Sequence, residues 1–355
     1  MRFAEYAAGY LDAVAFEPDF EKADEQIFAS SLNSFRDLLR YSDGMANADG
    51  MPLTVHAGFV EKMTPNALAD HHDDVHFIAM HQALMATIVD LCLFLFTQDC
   101  VFPNIGDAAG EVSPIYDGDD APGLFLLRMT MAGGSVDPRT DHFRVPRDAD
   151  RHIAAVYMSI LMSRYVWLHE LAHCENGHVL LLQQGSDSGR VHEVAEPAAL
   201  VGIKRGVSDA ERALRYGLEF DADRAALLHL ITVQLAGREN LPGLLAYDDL
   251  TRLEMALLGA YLMTWLFEAY QRFMNSMHGL THPDPALRLQ NLSASLRALA
   301  PELASVEDSV RARFNALVGR LPGLHPIDAH PHHDQDGAAE QLSARLARFR
   351  FEHVN

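Results

Sequence analysis

The stretch Trp167–Leu180 reads WLHELAHCENGHVL and contains the pattern HExxH, in which His169 and His173 are four residues apart. On an α-helix four residues correspond to about 400° of rotation, so both imidazoles lie on one face, one turn apart. Two neutral imidazoles in this arrangement can bind one Zn²⁺. Glu170 lies about 100° round the helix from His169, close enough to reach a water on the metal without being a ligand. The stretch therefore predicts a helix that carries two metal ligands and a general base.

The residues around this pattern are apolar and predict a buried helix. A helix with two histidines and one glutamate also arises by chance, so the pattern alone leaves a purely structural helix open. Two histidines that face inward in a core, however, need partners for their ring nitrogens, and this favours the metal site. The flanking apolar residues are Tyr165, Val166, Leu168, Leu171 and Ala172.

A catalytic zinc site needs a third protein ligand and one open position. The longer pattern HExxHxxGxxH would require a glycine and a histidine where this chain has Asn176 and Val179. His178 lies roughly 140° away from the face of His173 in helical rotation, and Gly177 is expected to end the helix before it. We therefore expect His178 to be a structural residue or an outer partner of the site, and not a ligand.

A better candidate for the third ligand lies in the later stretch Gly217–Ala226, which reads GLEFDADRAA. Glu219 and Asp223 are four residues apart on a predicted helix and share a face. One of these carboxylates can bind zinc while the other accepts a hydrogen bond from a ligand imidazole and fixes its tautomer. A pair of acidic residues on a helix is usually solvated, but the apolar neighbours leave little solvent-exposed face here. Those neighbours are Leu214, Leu218, Phe220, Ala222, Ala225 and Ala226.

The two motifs together resemble a known group of enzymes. HELAHCENGH followed by LEFDADRAA is similar to the gluzincin peptidases, most closely the HtpX and CAAX-prenyl-protease type, in which HExxH precedes a helix with ExxxD. The resemblance implies a zincin-like metallopeptidase core that holds one Zn²⁺ per chain and hydrolyses peptide bonds. It also implies the role of each site residue. The zinc ligands are His169, His173 and Glu219, the general base is Glu170, and the carboxylate behind a ligand histidine is Asp223.

A third element of the same group matches the stretch Thr281–Leu289, which reads THPDPALRL and resembles THPxxxxR. The resemblance implies that His282 stabilises the oxyanion of the reaction and that Arg288 is a structural ion-pair partner. The transmembrane helices of the HtpX and CAAX-prenyl-protease type have no counterpart in this sequence, which favours a soluble relative. In that respect the chain is similar to bacterial proteases of the Lit and ImmA types, which carry HExxH with a later acidic ligand.

The pattern of the 355 residues predicts a mainly α-helical fold of the α+β class, with a small β-sheet beside the active-site helix. Helices are expected through the first 100 residues, including one buried helix from Asp70 to Phe96. The run Gly123–Met131 is the one convincing strand signal. We expect a mainly helical N-terminal region over 1–150, a zincin-like catalytic core over 151–300, and C-terminal helices with a His- and Pro-rich loop over 301–355.

A dense polar cluster precedes the body of that predicted buried helix. A second metal site is one interpretation of it. The spacing matches no named metal site, however, and a solvated helix start with acidic residues near its positive end explains the cluster as well. Both interpretations stay open. The cluster consists of His71, His72, Asp73, Asp74 and His76.

Composition and charge exclude several classes of partner. The chain has 28 basic and 49 acidic side chains and a net charge of −21, which argues against nucleic acid because phosphate binding needs Lys and Arg. The most apolar stretches, Ala83–Phe96 and Met255–Phe267, are shorter than the roughly 20 residues of a membrane span, so no stable membrane insertion is expected. Three scattered cysteines, with Glu5 and Asp12 near the N-terminus, favour a cytoplasmic protein over a secreted one. The sequence leaves the oligomeric state open.

Two main functions remain open on the sequence, and the motif also leaves open the hydrolysis of a non-peptide amide. The first is a zinc-dependent endopeptidase that hydrolyses a cytoplasmic protein target. The second is a latent or non-catalytic zinc module that acts as a regulatory or phage-defence interaction protein. The presence of Glu170 favours the enzyme, because a structural zinc needs no base and normally has four protein ligands.

Overall fold

Helices make up most of the structure, together with a small mixed β-sheet. The structure is a computed structural model of the chain and describes residues 1–42, 50, 52–114, 122–124, 145–185, 191–192, 209–235, 241, 246–273 and 283–327. The helices are α1 (Phe3–Tyr10), α2 (Gln26–Ser42), α3 (Gln82–Phe96), α4 (Ala149–Glu175), α5 (His178–Gly185), α6 (Asp209–Leu235), α7 (Asp249–Phe273), α8 (Pro285–Leu299) and α9 (Ala304–Ala316). The strands are β1 (Ala15–Phe16), β2 (Val55–Val60), β3 (Ala67–His72), β4 (Val75–His81) and β5 (Val191–His192).

The sheet has the strand order β1-β2-β4-β3-β5. Strands β2 and β4 run parallel, and the other neighbouring pairs are antiparallel. A tight turn joins β3 to β4, where His72 pairs with Val75 and the two residues between them, Asp73 and Asp74, have positive φ angles of 52° and 61°. Two successive left-handed residues give the twist that a two-residue hairpin turn needs, and aspartate tolerates this conformation.

The structure corrects the predicted secondary structure around this hairpin. The helix predicted from Asp70 to Phe96 is wrong in its first part, because residues 67–81 form the β3–β4 hairpin and α3 begins only at Gln82. Alternate residues of these two strands enter two separate hydrophobic clusters, so both faces of the sheet are buried. A strand buried on both faces lacks the apolar–polar alternation by which strands are recognised. Apart from its first two residues, the predicted strand Gly123–Met131 lies outside the described residues.

Aromatic side chains join the two faces of the sheet to the helices that cover them. On one face Tyr6 of α1 stacks on Phe77 of β4, with ring centroids 4.3 Å apart. On the other face Phe59 of β2 meets Trp167 of α4 edge-on at 5.3 Å. Trp167 also stacks on Phe35 of α2 at 5.2 Å. Pairs of this kind contribute about 0.5–1.5 kcal/mol beyond the area that they bury, so the sheet and α4 form one packed unit.

Helix α4 lies at the centre of the structure and is buried along most of its length. It packs against α2, α3, α6 and α7, and β3 lies beside it. Asp148 caps its N-terminus by accepting a hydrogen bond from the backbone N–H of Arg151 at 3.0 Å. The helix ends at Glu175, and Gly177 takes a positive φ of 74° that lets the chain reverse into α5, as its sequence predicts.

A buried arginine fastens the start of α4 to the loop that follows α3. Arg151 is fully buried and donates hydrogen bonds from all five of its N–H groups to backbone carbonyls. The Glu111 carboxylate, also buried, lies 3.8 Å away, from Oε1 to Nε. The five acceptors are the carbonyls of Phe96 at 2.8 Å, Gln98 at 2.9 Å, Val101 at 3.0 Å, Phe102 at 3.1 Å and Ile105 at 2.9 Å.

The last described helices, α8 and α9, pack against α7. The helix predicted after Pro301 is confirmed as α9. Most of the His- and Pro-rich loop lies outside the described residues, which end at Ile327. The division of the chain at residues 150 and 300 stays a prediction. Of the described helices, none combines the length and the hydropathy that a membrane span requires.

Candidate metal centre

Two histidines of α4 and one glutamate of α6 converge in the interior of the structure. The Nε2 atoms of His169 and His173 are 3.0 Å apart. The Glu219 carboxylate lies 3.4 Å from Nε2 of His169 and 3.8 Å from Nε2 of His173. All three side chains are buried. Within the described part of the chain, this is the one group of three His, Cys, Asp or Glu residues whose ligand atoms lie within 4.8 Å of one another.

The separations in this group fit a shared metal ion. Ligand atoms that each lie about 2.0–2.1 Å from a tetrahedral ion are about 3.4 Å from one another. The Nε2–Nε2 separation of 3.0 Å lies below that value, and the distances from Oε2 of Glu219 to His169 (3.4 Å) and from Oε1 to His173 (3.8 Å) lie at or above it. With one oxygen taken from Glu219, all three ligand atoms lie within 4.8 Å of one another. Two imidazoles and one carboxylate are also the protein ligands of one class of catalytic zinc site, which keeps its fourth position open. The residues present can therefore hold a metal ion.

Asp223 follows Glu219 by one turn of α6 and lies behind His169. Its Oδ1 atom is 3.0 Å from Nδ1 of His169. An ionised carboxylate only accepts hydrogen bonds, so a neutral His169 ring that donates to it does so from Nδ1–H and leaves Nε2 unprotonated on the side that faces Glu219. The structure thus separates the two roles that helical spacing alone leaves open, with Glu219 among the candidate ligands and Asp223 behind one of them.

Besides His169, the side chains of Arg288 and Tyr165 contact the Asp223 carboxylate, which makes three donor residues. Arg288 of α8 donates through Nε to Oδ2 at 2.9 Å and through Nη2 to Oδ1 at 2.7 Å, and the Tyr165 hydroxyl donates to Oδ1 at 2.7 Å. Burial by itself raises the pKa of Asp223. The charge of Arg288 and the hydrogen bonds from His169 and Arg288 outweigh burial and hold this pKa well below its ordinary value. The carboxylate is therefore ionised at neutral pH and accepts from all three donors.

Arg288 lies where the family resemblance implies an ion-pair partner, and the structure shows that its partner is Asp223. Its Nη1 atom also lies 3.9 Å from Oε2 of Glu219. The sequence analysis missed the role of Tyr165, which it counted only as an apolar flank of α4. Tyr165 precedes His169 by four residues and shares its face, so a search of that face for polar groups would have found it.

His178, at the start of α5, lies outside the candidate ligand set. Its Nδ1 atom is 2.9 Å from Nδ1 of His173, so it contacts the ligand ring at the nitrogen that does not face Glu219. The ring of His178 is fully buried. This placement agrees with the expected role of His178 as an outer partner of the site.

Glu170 follows His169 directly on α4, and its side chain is buried. One turn of helix therefore carries the candidate base and both histidines. Cys174 comes directly after His173 and is a buried free thiol. Burial raises the pKa of Cys174 well above its ordinary value, and Cys174 lies outside the group of converging ligand atoms.

Two further predictions have different outcomes. His282, the expected oxyanion stabiliser, lies outside the described residues.

The polar cluster of residues 71–76 is not a helix start, because it forms the end of β3, the turn and the beginning of β4. The Tyr6 hydroxyl donates to Oδ2 of Asp70 at 2.9 Å, and Nε2 of His72 lies 3.0 Å from the same oxygen. As far as the described residues go, the cluster does not assemble three metal ligands.

Comparisons of this chain with protein-family models, curated proteins and solved structures found no match. The functional assignment therefore rests on the chemistry and geometry of the residues themselves. The central observation is a buried group of two imidazoles and one carboxylate, His169, His173 and Glu219, that can hold a metal ion beside a buried glutamate, Glu170.

Proposed function

We propose that this chain is a zinc-dependent metallopeptidase with a zincin-like core and that it hydrolyses a protein or peptide. The observation that carries the proposal is the buried convergence of His169, His173 and Glu219, whose ligand atoms lie within 4.8 Å of one another. The small sheet supports it, because β3 lies beside the helix that carries HExxH, as the resemblance to gluzincins implies.

The donor set favours zinc and a catalytic site. Imidazole and carboxylate ligands suit Zn²⁺, and three protein ligands leave one position open. Over the described residues, no fourth His, Cys, Asp or Glu joins the group, whereas a structural zinc site normally has four protein ligands. When bound, the ion would polarise a peptide carbonyl and lower the pKa of a water in the open position.

Glu170 would act as the general base. Its carboxylate is not needed for the ligand set, because Glu219 completes that set. It would remove a proton from the attacking water and return this proton to the leaving amine. Asp223 and Arg288 would keep the His169 ring in one orientation throughout, because the carboxylate binds the ring at Nδ1 and the guanidinium holds the carboxylate at two points.

The net charge of the chain bears on the class of its substrate. The net charge of −21 disfavours a nucleic-acid substrate, whose phosphates would be repelled. We propose a cytoplasmic protein target.

The burial of the site favours a second candidate function. The residues His169, Glu170, His173 and Glu219 are all 3% exposed or less. A peptide chain has no access to a base that is this deeply buried, so the structure must open before hydrolysis. This observation favours a latent zinc module that acts in regulation or phage defence and becomes active only when a partner opens the site.

Metal analysis of three variants tests the first proposal. Elemental mass spectrometry of the purified chain should find about one zinc per chain, as a three-ligand site requires. Glu219→Ala should lose the zinc, and Glu170→Gln should keep it. Glu254→Gln is the matched control, because it changes a buried carboxylate of α7 outside the centre and should keep the zinc. A wild-type chain that binds no zinc after reconstitution would contradict the site.

Proteolysis separates the two candidate functions. The wild-type chain and Glu170→Gln are each incubated with a cell lysate, and new protein N-termini are identified by mass spectrometry. An active peptidase should produce N-termini that are absent with Glu170→Gln, whereas cleavage by both would contradict the proposed base. A zinc-loaded chain that cleaves nothing would favour the latent module.

A further inference from the structure

We infer that His178 and Asp221 are positioning residues that place the ring proton of His173 on Nδ1 and so keep its Nε2 atom ready for a metal ion. The inference rests on the metal site of the proposed function and assigns a role to two residues outside its ligand set. It is carried by a chain of contacts that runs from His173 through His178 to Asp221 and Asn176.

The contacts of this chain are short and specific. The Nδ1 atoms of His173 and His178 are 2.9 Å apart, and both rings are fully buried. At its other nitrogen, Nε2, His178 lies 3.1 Å from Oδ2 of Asp221. The amide Nδ2 of Asn176 donates to the same carboxylate oxygen at 2.9 Å, which fixes the orientation of the Asp221 carboxylate. Asp221 itself is 32% exposed.

The donors and acceptors in this chain determine where each proton lies. A carboxylate accepts hydrogen bonds and donates none, so the contact with Asp221 requires a proton on Nε2 of His178. A neutral imidazole carries one ring proton, which leaves Nδ1 of His178 as an acceptor. The proton between the two Nδ1 atoms must then belong to His173. His173 is therefore the Nδ1–H tautomer, and its Nε2 carries a lone pair.

Both histidine ligands are thus oriented by an aspartate of the same helix, α6. Asp223 fixes His169 directly, and Asp221 fixes His173 through His178. The two Nε2 atoms are 3.0 Å apart, and with both ring protons on Nδ1 a lone pair of each nitrogen faces the other. Two lone pairs at this separation repel each other, and a cation placed between them removes the repulsion. The arrangement prepares the site for a metal ion.

The local sequence explains how His178 reaches this position. On a continuous helix His178 would lie roughly 140° away from His173. The helix instead ends at Glu175, and Gly177 takes the left-handed conformation with φ of 74°. Glycine adopts this conformation without the steric cost that a Cβ atom imposes. The reversal brings the ring of His178 back against Nδ1 of His173.

The test reads the tautomer of His173 directly, in the metal-free full-length chain with ¹⁵N-labelled histidine at neutral pH. Two-bond ¹H–¹⁵N correlation spectra distinguish the Nδ1–H tautomer from the Nε2–H tautomer. We expect the Nδ1–H tautomer in the wild type and a rise of the Nε2–H tautomer in Asp221→Ala. A wild-type His173 that is protonated on Nε2, or an unchanged tautomer in Asp221→Ala, would overturn the inference.

Zinc affinity, measured by competition with a chelator, gives a second readout. His178→Leu removes the acceptor and should lower the affinity by about 10–100-fold. His178→Asn restores an acceptor near the position of Nδ1 and should recover most of the affinity. His229→Leu is the matched control, because it removes another histidine–carboxylate contact between α4 and α6, the 3.0 Å pair with Glu175. A His178→Leu chain that binds zinc as tightly as the wild type would contradict the inference.

These experiments distinguish failure of the inference from failure of the proposed function. The tautomer is read without metal and without substrate, and it decides the inference even if the chain hydrolyses nothing. Hydrolysis that persists in Glu170→Gln would overturn the peptidase mechanism and leave the tautomer result unchanged. If His178→Leu does not fold, Asp221→Ala is the deciding variant, because Asp221 is partly exposed and its replacement should disturb the fold less.

Discussion

Arg288 of α8 forms a two-point ion pair with Asp223 of α6, from Nε to Oδ2 at 2.9 Å and from Nη2 to Oδ1 at 2.7 Å. Both side chains are buried, and Asp223 also contacts Nδ1 of His169. A planar guanidinium matches a carboxylate at two points, which lysine does not do. Helix α8 therefore supports a candidate metal ligand on α4 through a residue of α6, and the stability of the fold and the orientation of the ligand depend on the same ion pair.

Arg288→Leu should lower the free energy of unfolding by about 3–5 kcal/mol, because it leaves the Asp223 charge buried without its partner. Arg288→Lys should recover only part of this loss, since an ammonium group forms no two-point contact. Urea unfolding measures both effects. Arg224→Leu, which changes an exposed arginine of α6, is the control and should change stability by less than about 0.5 kcal/mol. A wild-type midpoint in Arg288→Leu would contradict the prediction.

Tyr165→Phe should destabilise the chain by about 1.5–3 kcal/mol, the range for a hydrogen bond to a charged group. The substitution removes the hydroxyl that donates to Asp223 at 2.7 Å and leaves the packing of the ring intact. It should also weaken zinc binding, because Asp223 then holds His169 less firmly. Urea unfolding and chelator competition give the two values. Unchanged values in both measurements would show that the hydroxyl does not support the site.

Arg151→Met should be among the most destabilising changes in the chain, at more than about 4 kcal/mol, because it removes five hydrogen bonds to buried carbonyls, of which, within the described residues, only those of Gln98 and Phe102 also accept a backbone N–H. Asp148→Ala removes only the cap of the same helix and should cost about 1 kcal/mol. Thermal denaturation compares the two variants. The reverse order of their melting temperatures would contradict the assignment of Arg151 as the anchor of α4.

His76 of β4 should make the fold sensitive to acid. Burial and, to a smaller extent, the neighbouring His71 lower the pKa of His76, Asp70 acts in the opposite direction, and the resulting pKa is about 4. The unfolded chain binds this proton near the ordinary pKa of 6.5, so protonation favours unfolding. The contribution of His76 to stability is therefore fully present above about pH 6.5 and is lost as the pH falls towards about 4.

Replacement of this histidine tests the pH dependence. Urea unfolding between about pH 7 and pH 4 should show a smaller loss of stability in His76→Phe than in the wild type, since phenylalanine does not titrate. His152→Phe, which replaces a solvent-exposed histidine of α4, should retain the wild-type dependence. An identical dependence in the wild type and in His76→Phe would assign the acid sensitivity to other groups.

Bound metal should stabilise the folded chain by linkage. A ligand at 100 times its dissociation constant adds about 2.7 kcal/mol, so a chelator should lower the Tm of the wild type and added zinc should restore it. Glu219→Ala should have a Tm that does not respond to zinc, because it lacks a ligand of the site. Differential scanning calorimetry with and without zinc measures these shifts. A zinc-dependent rise of equal size in Glu219→Ala would place the bound metal elsewhere.

Local sequence patterns correctly predicted features that depend on a single helix. They did not predict features that depend on which other elements pack against a segment. The C-terminal helix α9 and the break at Gly177 follow from apolar periodicity and from the residues that end a helix. The β3–β4 hairpin was mistaken for a helix, because α1 covers one face of the sheet and α2 and α4 cover the other. Nothing in a local window of sequence shows that both faces of a strand will be buried.

By itself the sequence determined which side chains share a face within one helix. Helical geometry puts His169 beside His173, and Glu219 beside Asp223, whatever the rest of the chain does. Only the tertiary structure decided how these pairs combine, because the packing of α4 against α6 sets which carboxylate faces the imidazole Nε2 atoms. The same packing, together with the turn at Gly177, placed His178 and Asp221 behind His173. A hydrogen bond between two helices joins residues that are far apart in the sequence, so the local pattern of either helix does not reveal it.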